Sequence, residues 1–508
     1  MANFIRDHFI SLAIALMFIP SVDDLKATTL DVGSGFPYAT LGDAIFVVFP
    51  GDTILVHEGT YSGGVFVDGL QGTSTDWIYI LSAPGEEVIY SGGSNAWQFT
   101  DAAYLHIAGF IFQGQTGNGL NFDDGGSYET PAHHIVFDNC TFRDMNASGN
   151  NDLLKLSGLD NFEIRNCVFL NGSAGGSGID MVGCHAGSIH DNHFENQGSN
   201  SIQAKGGTSN IRIERNFFKN GGSRVLNLGG STGLQFFRPL DAPYEAAELK
   251  VYSNVFIGSD APIAFVGSIN CEVVNNTLYL PTKWVLRILQ ETVDTSRFAP
   301  CGYNTFRNNL IYIDNRVNVE CNIGPNTAPE TFTFSNNFWF HSEDSGWPGP
   351  DLPVDDVNNR IGEDPLFEEA SSENLALMEE STAIGAGLSV AEPMQDYTET
   401  AFLNPPSAGA FEGGMTTAAH DPSSQVSNPF HIFPNPVSEA IQITLKNPTD
   451  RMSMTLTSVS GQQVAKQINI ATDANGSITW TLPKKYSGLF ILTVEAAGYT
   501  ESKLIFCE

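Results

Sequence analysis

Residues 164–220 read IRNCVFLNGSAGGSGIDMVGCHAGSIHDNHFENQGSNSIQAKGGTSNIRIERNFFKN. The set Ile164, Cys167, Phe169 returns as Ile189, Asn192, Phe194 and again as Ile213, Asn216, Phe218. Followed outward, the Phe position recurs at Phe112, Phe142, Phe256, Leu278, Ile311 and Trp339. Five residues before each lies another apolar side chain: Ile107, Phe137, Val251, Val273, Phe306 and Phe334. Two residues before it stand Cys140 and Cys167, then Asn192, Asn216, Asn254, Asn276, Asn309 and Asn337. A third alternating segment follows in each period, as at 119–123, 202–205, 226–229 and 286–289. Three short strands in a period near 25 residues make one coil of a parallel β-helix, with equivalent positions stacked about 4.8 Å apart. The fold class expected is all-β: a solenoid of about ten or more coils, followed by a small β-sandwich. The six Asn should form a ladder at a tight turn, each amide bonding its copies above and below. Cys140 and Cys167 fall in the same column on adjacent coils and read as small core residues, although the stacking distance would also permit a disulfide.

Composition agrees with a β-rich, exported chain. Of 508 residues, 50 are Gly and 35 are Phe, the mixture of turn formers and aromatics that strands and tight turns require. Lys+Arg number 24 against 57 Asp+Glu, a net charge of −33, which rules out nucleic acid and argues against an anionic membrane as the main partner. Seven cysteines are too few for a disulfide scaffold. Residues 1–27 carry Arg6, an apolar run from Phe9 to Pro20 and a polar stretch to Ala27, the pattern of a secretory signal peptide. That run is shorter than the roughly 20 residues a membrane span needs, so no span is expected in the mature chain.

Residues 37–49 read as a helix with Leu41, Ala44, Ile45 and Val48 on one face, suited to covering the first coil's exposed core. With Tyr38-Ala39-Thr40-Leu41, Pro50-Gly51-Asp52-Thr53-Ile54 and Gly59-Thr60-Tyr61, the chain resembles the right-handed β-helix, or pectin-lyase-like, superfamily. Asp364-Pro365-Leu366-Phe367 through Gly409-Ala410-Phe411-Glu412 look like the last coils of such proteins. The solenoid domain is therefore expected over 28–412, and the resemblance speaks to fold rather than chemistry.

Residues 413–429 are a Gly/Ser/Pro-containing linker. Strand patterns follow at 441–445, 453–458, 477–481, 489–494 and 502–506. Phe433-Pro434-Asn435-Pro436, Ser460-Gly461-Gln462-Gln463-Val464 and Tyr486-Ser487-Gly488-Leu489-Phe490 resemble the C-terminal sorting domain of type IX secretion, over 430–508. The resemblance implies a Gram-negative bacterium of the Bacteroidota lineage, recognition by the type IX machinery, and release or attachment at the outer surface. The protein is expected to be a monomer.

Aligning the third strands on Leu120, Leu154, Ile179, Ile202, Leu226, Ile263 and Leu286 leaves Asn121, Lys155, Asp180, Gln203, Asn227, Ala264 and Arg287 pointing outward. Two residues on lie Asp123, Ser157, Val182, Lys205, Gly229, Val266 and Leu289. Long insertions at 230–248, with Phe236, Phe237, Arg238 and Tyr244, and at 290–304 interrupt the repeat beside this face; such loops tend to build binding sites. The expected partner is a polysaccharide. Asn121, Asp123, Lys155, Asp180, Gln203, Phe236, Phe237, Arg238 and Arg287 are the candidate binding residues, with aromatics stacking on sugar rings and Arg holding carboxylate or sulfate.

Three chemistries compete. An inverting hydrolase would use two carboxyl groups roughly 6.5–9.5 Å apart, and only Asp123 with Asp180 comes near; no Gly-His-Gly occurs. A lyase needs a base for the proton alpha to a uronate carboxyl and a cation or donors for the enolate. Ile202 to Lys205, Asn216 to Phe218 and Gly222 to Gly229 are similar to the catalytic region of alginate and chondroitin lyases of the chondroitinase B type. That resemblance puts Lys205 on the family's base and Asn227 where the family has its catalytic Arg, with Arg224 as the substitute cation. The family's Ca²⁺-binding acids stand here as Asn200 and Ser201; Ca²⁺ is the only cofactor in view. A lyase on an acidic glycan is the expected function. The second alternative is a glycan-binding or adhesive surface protein without catalysis, favoured if Lys205 proves turned inward or sealed by Asp180, and the hydrolase ranks third.

Overall fold

A computed structural model describes residues 27–413 and, beyond them, 430–433, 440–445, 452–458, 463–472, 477–482, 488–496 and 499–507. The leader before Ala27, the linker after Gly413 and most of the sorting-domain motifs lie outside the described residues.

The repeat folds as three parallel sheets of sixteen, twelve and ten strands. Ile107, Phe137, Ile164, Ile189 and Ile213 stack in register in the first sheet. The Phe column runs through the second, from Phe112 to Phe256 and on through Leu278 and Ile311 to Trp339. Its rings lie face to face, Phe142 on Phe169 at 4.8 Å and Phe169 on Phe194 at 4.5 Å. All are fully buried, so the core gains both apolar burial and stacking.

At the turn between the first two sheets the expected ladder forms. Asn216 Nδ2 donates to Asn254 Oδ1 at 3.1 Å and to the Ile189 carbonyl, while its Oδ1 accepts from the Asn192 backbone N–H. The same pattern continues through Asn276, Asn309 and Asn337. Cys140 and Cys167 occupy the column as free, buried thiols. The residue before each ladder position takes a positive φ, as at Asn139, Asn166 and Asn275, which lets the chain turn between sheets within one residue.

Two expectations at the ends are corrected. The helix expected over 37–49 is only Leu41–Ile45, opened by a Thr40–Asp43 capping box; Leu41 and Ala44 are buried, but Phe46 and Phe49 are exposed. Pro50 and Gly51 close off any longer helix. Residues 364–412 are not further coils. They fold back along the outside of the second sheet, where Phe367, Leu375 and Leu377 pack on Phe217, Val255, Leu310 and Phe338. Asn275 and Asn308 reach out to hold that segment through the carbonyls of Ser407 and Leu388. The C-terminal part forms small antiparallel sheets of three and four strands.

Candidate functional site

The third sheet carries the candidate site. Its strands Leu120–Asp123, Leu154–Ser157, Ser177–Val182, Asn200–Lys205, Leu226–Gly229, Ile263–Val266 and Leu286–Leu289 pair in the register read from the sequence. Asn121, Lys155, Asp180, Gln203, Asn227 and Arg287 therefore share one outward column, and Val182 pairs with Lys205 beside it.

At its centre four ionisable groups meet. Lys155 donates to Asp180, and Lys205 Nζ lies 3.3 Å from the other Asp180 oxygen. Lys205 also donates to Gln203 Oε1 at 3.2 Å. Asp180 is wholly buried; burial alone would raise its carboxyl pKa, but Lys155 and then Lys205 hold it below the ordinary value. Lys155 is pulled the other way by burial, yet Asp180 and Asp152 keep it above the usual lysine value. Asp152, 3.9 Å from Lys155, is the fourth member. Burial, reinforced by Asp180, pushes its carboxyl up to about 7.

Asp152 falls outside the outward columns that the sequence pattern assigns, because it precedes the inward Leu154. Two residues before it runs a second polar column: Asn118 accepts from the Asp152 N–H, Asp152 from the Ser177 N–H, and Asn200 donates to Ser177 Oγ. Asn200 is thus a corner-ladder member, and Ser201 beside it is buried, donating to the Gly221 carbonyl. Arg224 and Trp284 stand at the same offset before Leu226 and Leu286. Among the described residues no group of three or more His, Cys, Asp or Glu is arranged to hold a metal ion.

Further along the sheet Arg224 pairs with Glu291 at 2.7 Å and reaches Asn227 Oδ1 at 3.4 Å. Arg287 lies over the Trp284 ring at 4.3 Å and donates to Asn322 Oδ1. Burial and the like charge of Arg224 lower its pKa. At the other end Asp123 accepts from Gln98, Asn121 and the Gly125 N–H.

The loop residues divide. Phe236 is 60% exposed and remains available for a sugar ring. Phe237 is fully buried against Ala242 and Phe298, so it is a packing residue. Arg238 is turned away from the strip: its guanidinium takes both oxygens of Asp160 and the Gly183 carbonyl. With His185 it holds the Asp160 carboxyl down to about 2 against burial. Gly183 permits this approach, because its φ is +61° and a Cβ there would meet Arg238 Cβ at 2.6 Å. The two insertions are tied together by Glu245, which is fully buried. It accepts from the Gly206 and Thr232 N–H groups and from the Thr232 and Thr292 hydroxyls. No local sequence signal marks Glu245, since it lies in an insertion outside the repeat.

Residues 89–278 match the family described as right handed beta helix region. Residues 431–508 match the secretion system C-terminal sorting domain. The chain is a right-handed parallel β-helix protein with a type IX secretion sorting domain. It is therefore exported to the surface or exterior of a Gram-negative bacterium. No curated protein matches the chain significantly. Among solved structures, pectate lyase Pel9A is similar over 77% of this chain and 97% of its own at 14% identity and a TM-score of 0.52. An alginate lyase from Paenibacillus sp. str. FPU-7 is 18% identical over 59% of this chain and 96% of its own, with a TM-score of 0.39. The GH136 lacto-N-biosidase from Eubacterium ramulus is 12% identical over 66% and 67%, with a TM-score of 0.41. At such identities the likeness to the pectate lyase is one of fold. No helix among the described residues is long and apolar enough to cross a membrane.

Proposed function

We propose that this exported β-helix protein acts on an acidic polysaccharide along its third sheet, cleaving a uronate glycan by β-elimination. The observation that carries the reading is the Asp152–Lys155–Asp180–Lys205 cluster on the outward face, flanked by Arg224 and Arg287. The chain has only 24 basic residues against 57 acidic ones. Four of the 24 on one face of one sheet give a polyanion the local attraction that the net charge denies it. Buried ionisable clusters with a member near neutrality are common where proton transfer is done. In the proposed reaction unprotonated Lys205 takes the proton alpha to the uronate carboxyl, the C4–O glycosidic bond breaks as the C4–C5 double bond forms, and the departing oxygen takes a proton from water. Arg224 and Arg287 hold carboxylates, and Asn227 and Gln203 orient hydroxyls. Asn121 and Lys155 extend the binding strip, and Phe236 offers a ring to a sugar. A calcium ion, if one is used, would arrive with the substrate carboxylates rather than in a protein cage.

A second reading, binding without cleavage, is favoured by one specific contact. Asp180 engages both lysines, so Lys205 must leave an ion pair before it can act as a base. A hydrolase finds no support: Asp180 is locked between lysines, and Asp123 accepts three hydrogen bonds. Digestion of polygalacturonate, alginate and chondroitin sulfate, followed at 232 nm for unsaturated product, separates the readings. Product formation lost in Lys205→Ala supports the lyase. Polyanion binding without product supports the second reading. Product formation unchanged in Lys205→Ala refutes the assignment of the base.

A further inference from the structure

A second site lies at the corner between the third and first sheets, away from the lysine cluster. A recess of about 520 Å³ is lined by Gln71, Asp101, Glu129, Thr130, Pro131 and His133. Gln71 donates to the Asp101 carbonyl at 2.9 Å, which fixes one wall. One carboxylate oxygen of Asp101 is shielded from solvent and accepts no hydrogen bond among the described residues, a cost normally offset by a partner.

An aromatic column stands next to the recess and meets its lining at His133. Trp77, Tyr104 and His134 are opposite one another on three successive coils, one residue before the paired Ile78, Leu105 and Ile135. Tyr104 stacks on His134 at 4.6 Å, Trp77 meets Tyr104 edge-on at 5.6 Å, and His133 joins the column to the recess through Tyr104 at 5.0 Å. All four rings are partly exposed. From Tyr104 onward the column follows the left-handed turn position of the first sheet, where later coils carry Asn161, Ala186 and Asn210. Tyr104 and His134 adopt the same positive φ, 54° and 55°.

We propose that the recess and its aromatic column bind a neutral sugar unit of a glycan. The partly exposed Trp77 ring suits the C–H face of a pyranose, with Tyr104, stacked on His134, holding it in place. Asp101, Glu129 and Gln71 supply acceptors and a donor for its hydroxyls. Two carboxylates in the lining reject a uronate or sulfated sugar by like charge. The site stands independently of the lyase reading, since it shares no residue with the lysine cluster.

The test titrates the full secreted chain, by saturation-transfer NMR and calorimetry, with neutral cello-, xylo-, manno-, laminari- and chito-hexaoses. Trigalacturonate and CaCl2 are the comparison ligands. At least one neutral hexaose should bind, and Trp77→Ala and Asp101→Asn should each weaken it about tenfold, the scale of one stacking or buried polar contact. Both variants should keep the wild-type unfolding temperature within a few degrees. The proposal is overturned if no neutral hexaose binds at up to about 10 mM, or if both variants bind as the wild type does. Saturable CaCl2 or trigalacturonate binding that is lost in Asp101→Asn, with neutral sugars inert, overturns it as well.

Discussion

Replacing Asp180 by Asn removes one charge from the centre of the strip and changes little else. The carboxylate is fully buried, while the side chains of Lys155 and Lys205 are 19% and 12% exposed. The substitution keeps the shape but leaves two ammonium groups facing one another with only Asp152, 3.9 Å from Lys155, to balance them. Breaking a buried pair costs about 3–5 kcal/mol; water reaches both lysines here, so the lower end, about 3 kcal/mol, is expected. The folded pKa of Asp180 is depressed, so its contribution is present above the unfolded value and lost as pH falls through the folded one. The gap between variant and wild type should therefore be full at pH 7 and close in acid. A solenoid opens by segments, so hydrogen exchange of the amides in Ser177–Val182 and Asn200–Lys205 is the direct assay. Adding Lys155→Met to the variant should recover about 1–3 kcal/mol as a coupling energy. A variant within about 0.5 kcal/mol of wild type at pH 7, or a loss that Lys155→Met leaves untouched, would refute the electrostatic account of the cluster.

Asp152→Asn should act oppositely. The Asp152 pKa is raised to about 7, so its favourable contribution holds at low pH and fades as pH rises through 7. The variant should flatten the decline in thermal stability between pH 5 and pH 8, measured by calorimetry. Asn216→Ala removes an amide that serves the Asn192 N–H, the Ile189 and Glu214 carbonyls and the Asn254 side chain. With each orphaned group worth about 1–3 kcal/mol, a loss of about 3 kcal/mol or more is expected in urea unfolding. Glu245→Ala should free the insertions at 230–248 and 290–304, seen as faster limited proteolysis there with core exchange unchanged.

The solenoid was legible in the sequence because a parallel β-helix repeats its chemistry every coil. Phe169, Asn192 and Lys155 could each be assigned a column and a direction from spacing alone, since side chains alternate along strands and coils stack in register. The same periodicity holds Asp152, two positions before Leu154, in a ladder with Asn118 and Ser177. Where the repeat is interrupted, spacing says nothing. Phe236 and Phe237 are neighbours of equal character, yet one is exposed and the other buried, because the partner Phe298 comes from a different insertion. Arg238 finds Asp160 from 78 residues away, and residues 364–412 cover the second sheet by contacts no periodicity encodes. By itself the sequence determined the coils, their register and the export module, all products of local alternation and repetition. Only the tertiary structure decided that Asp180 holds both lysines, that Arg238 belongs to the scaffold, and that Trp77, Tyr104 and Asp101 share one corner. Those outcomes depend on where loops close and which charges are left without water, and distance in space, not spacing in the chain, sets both.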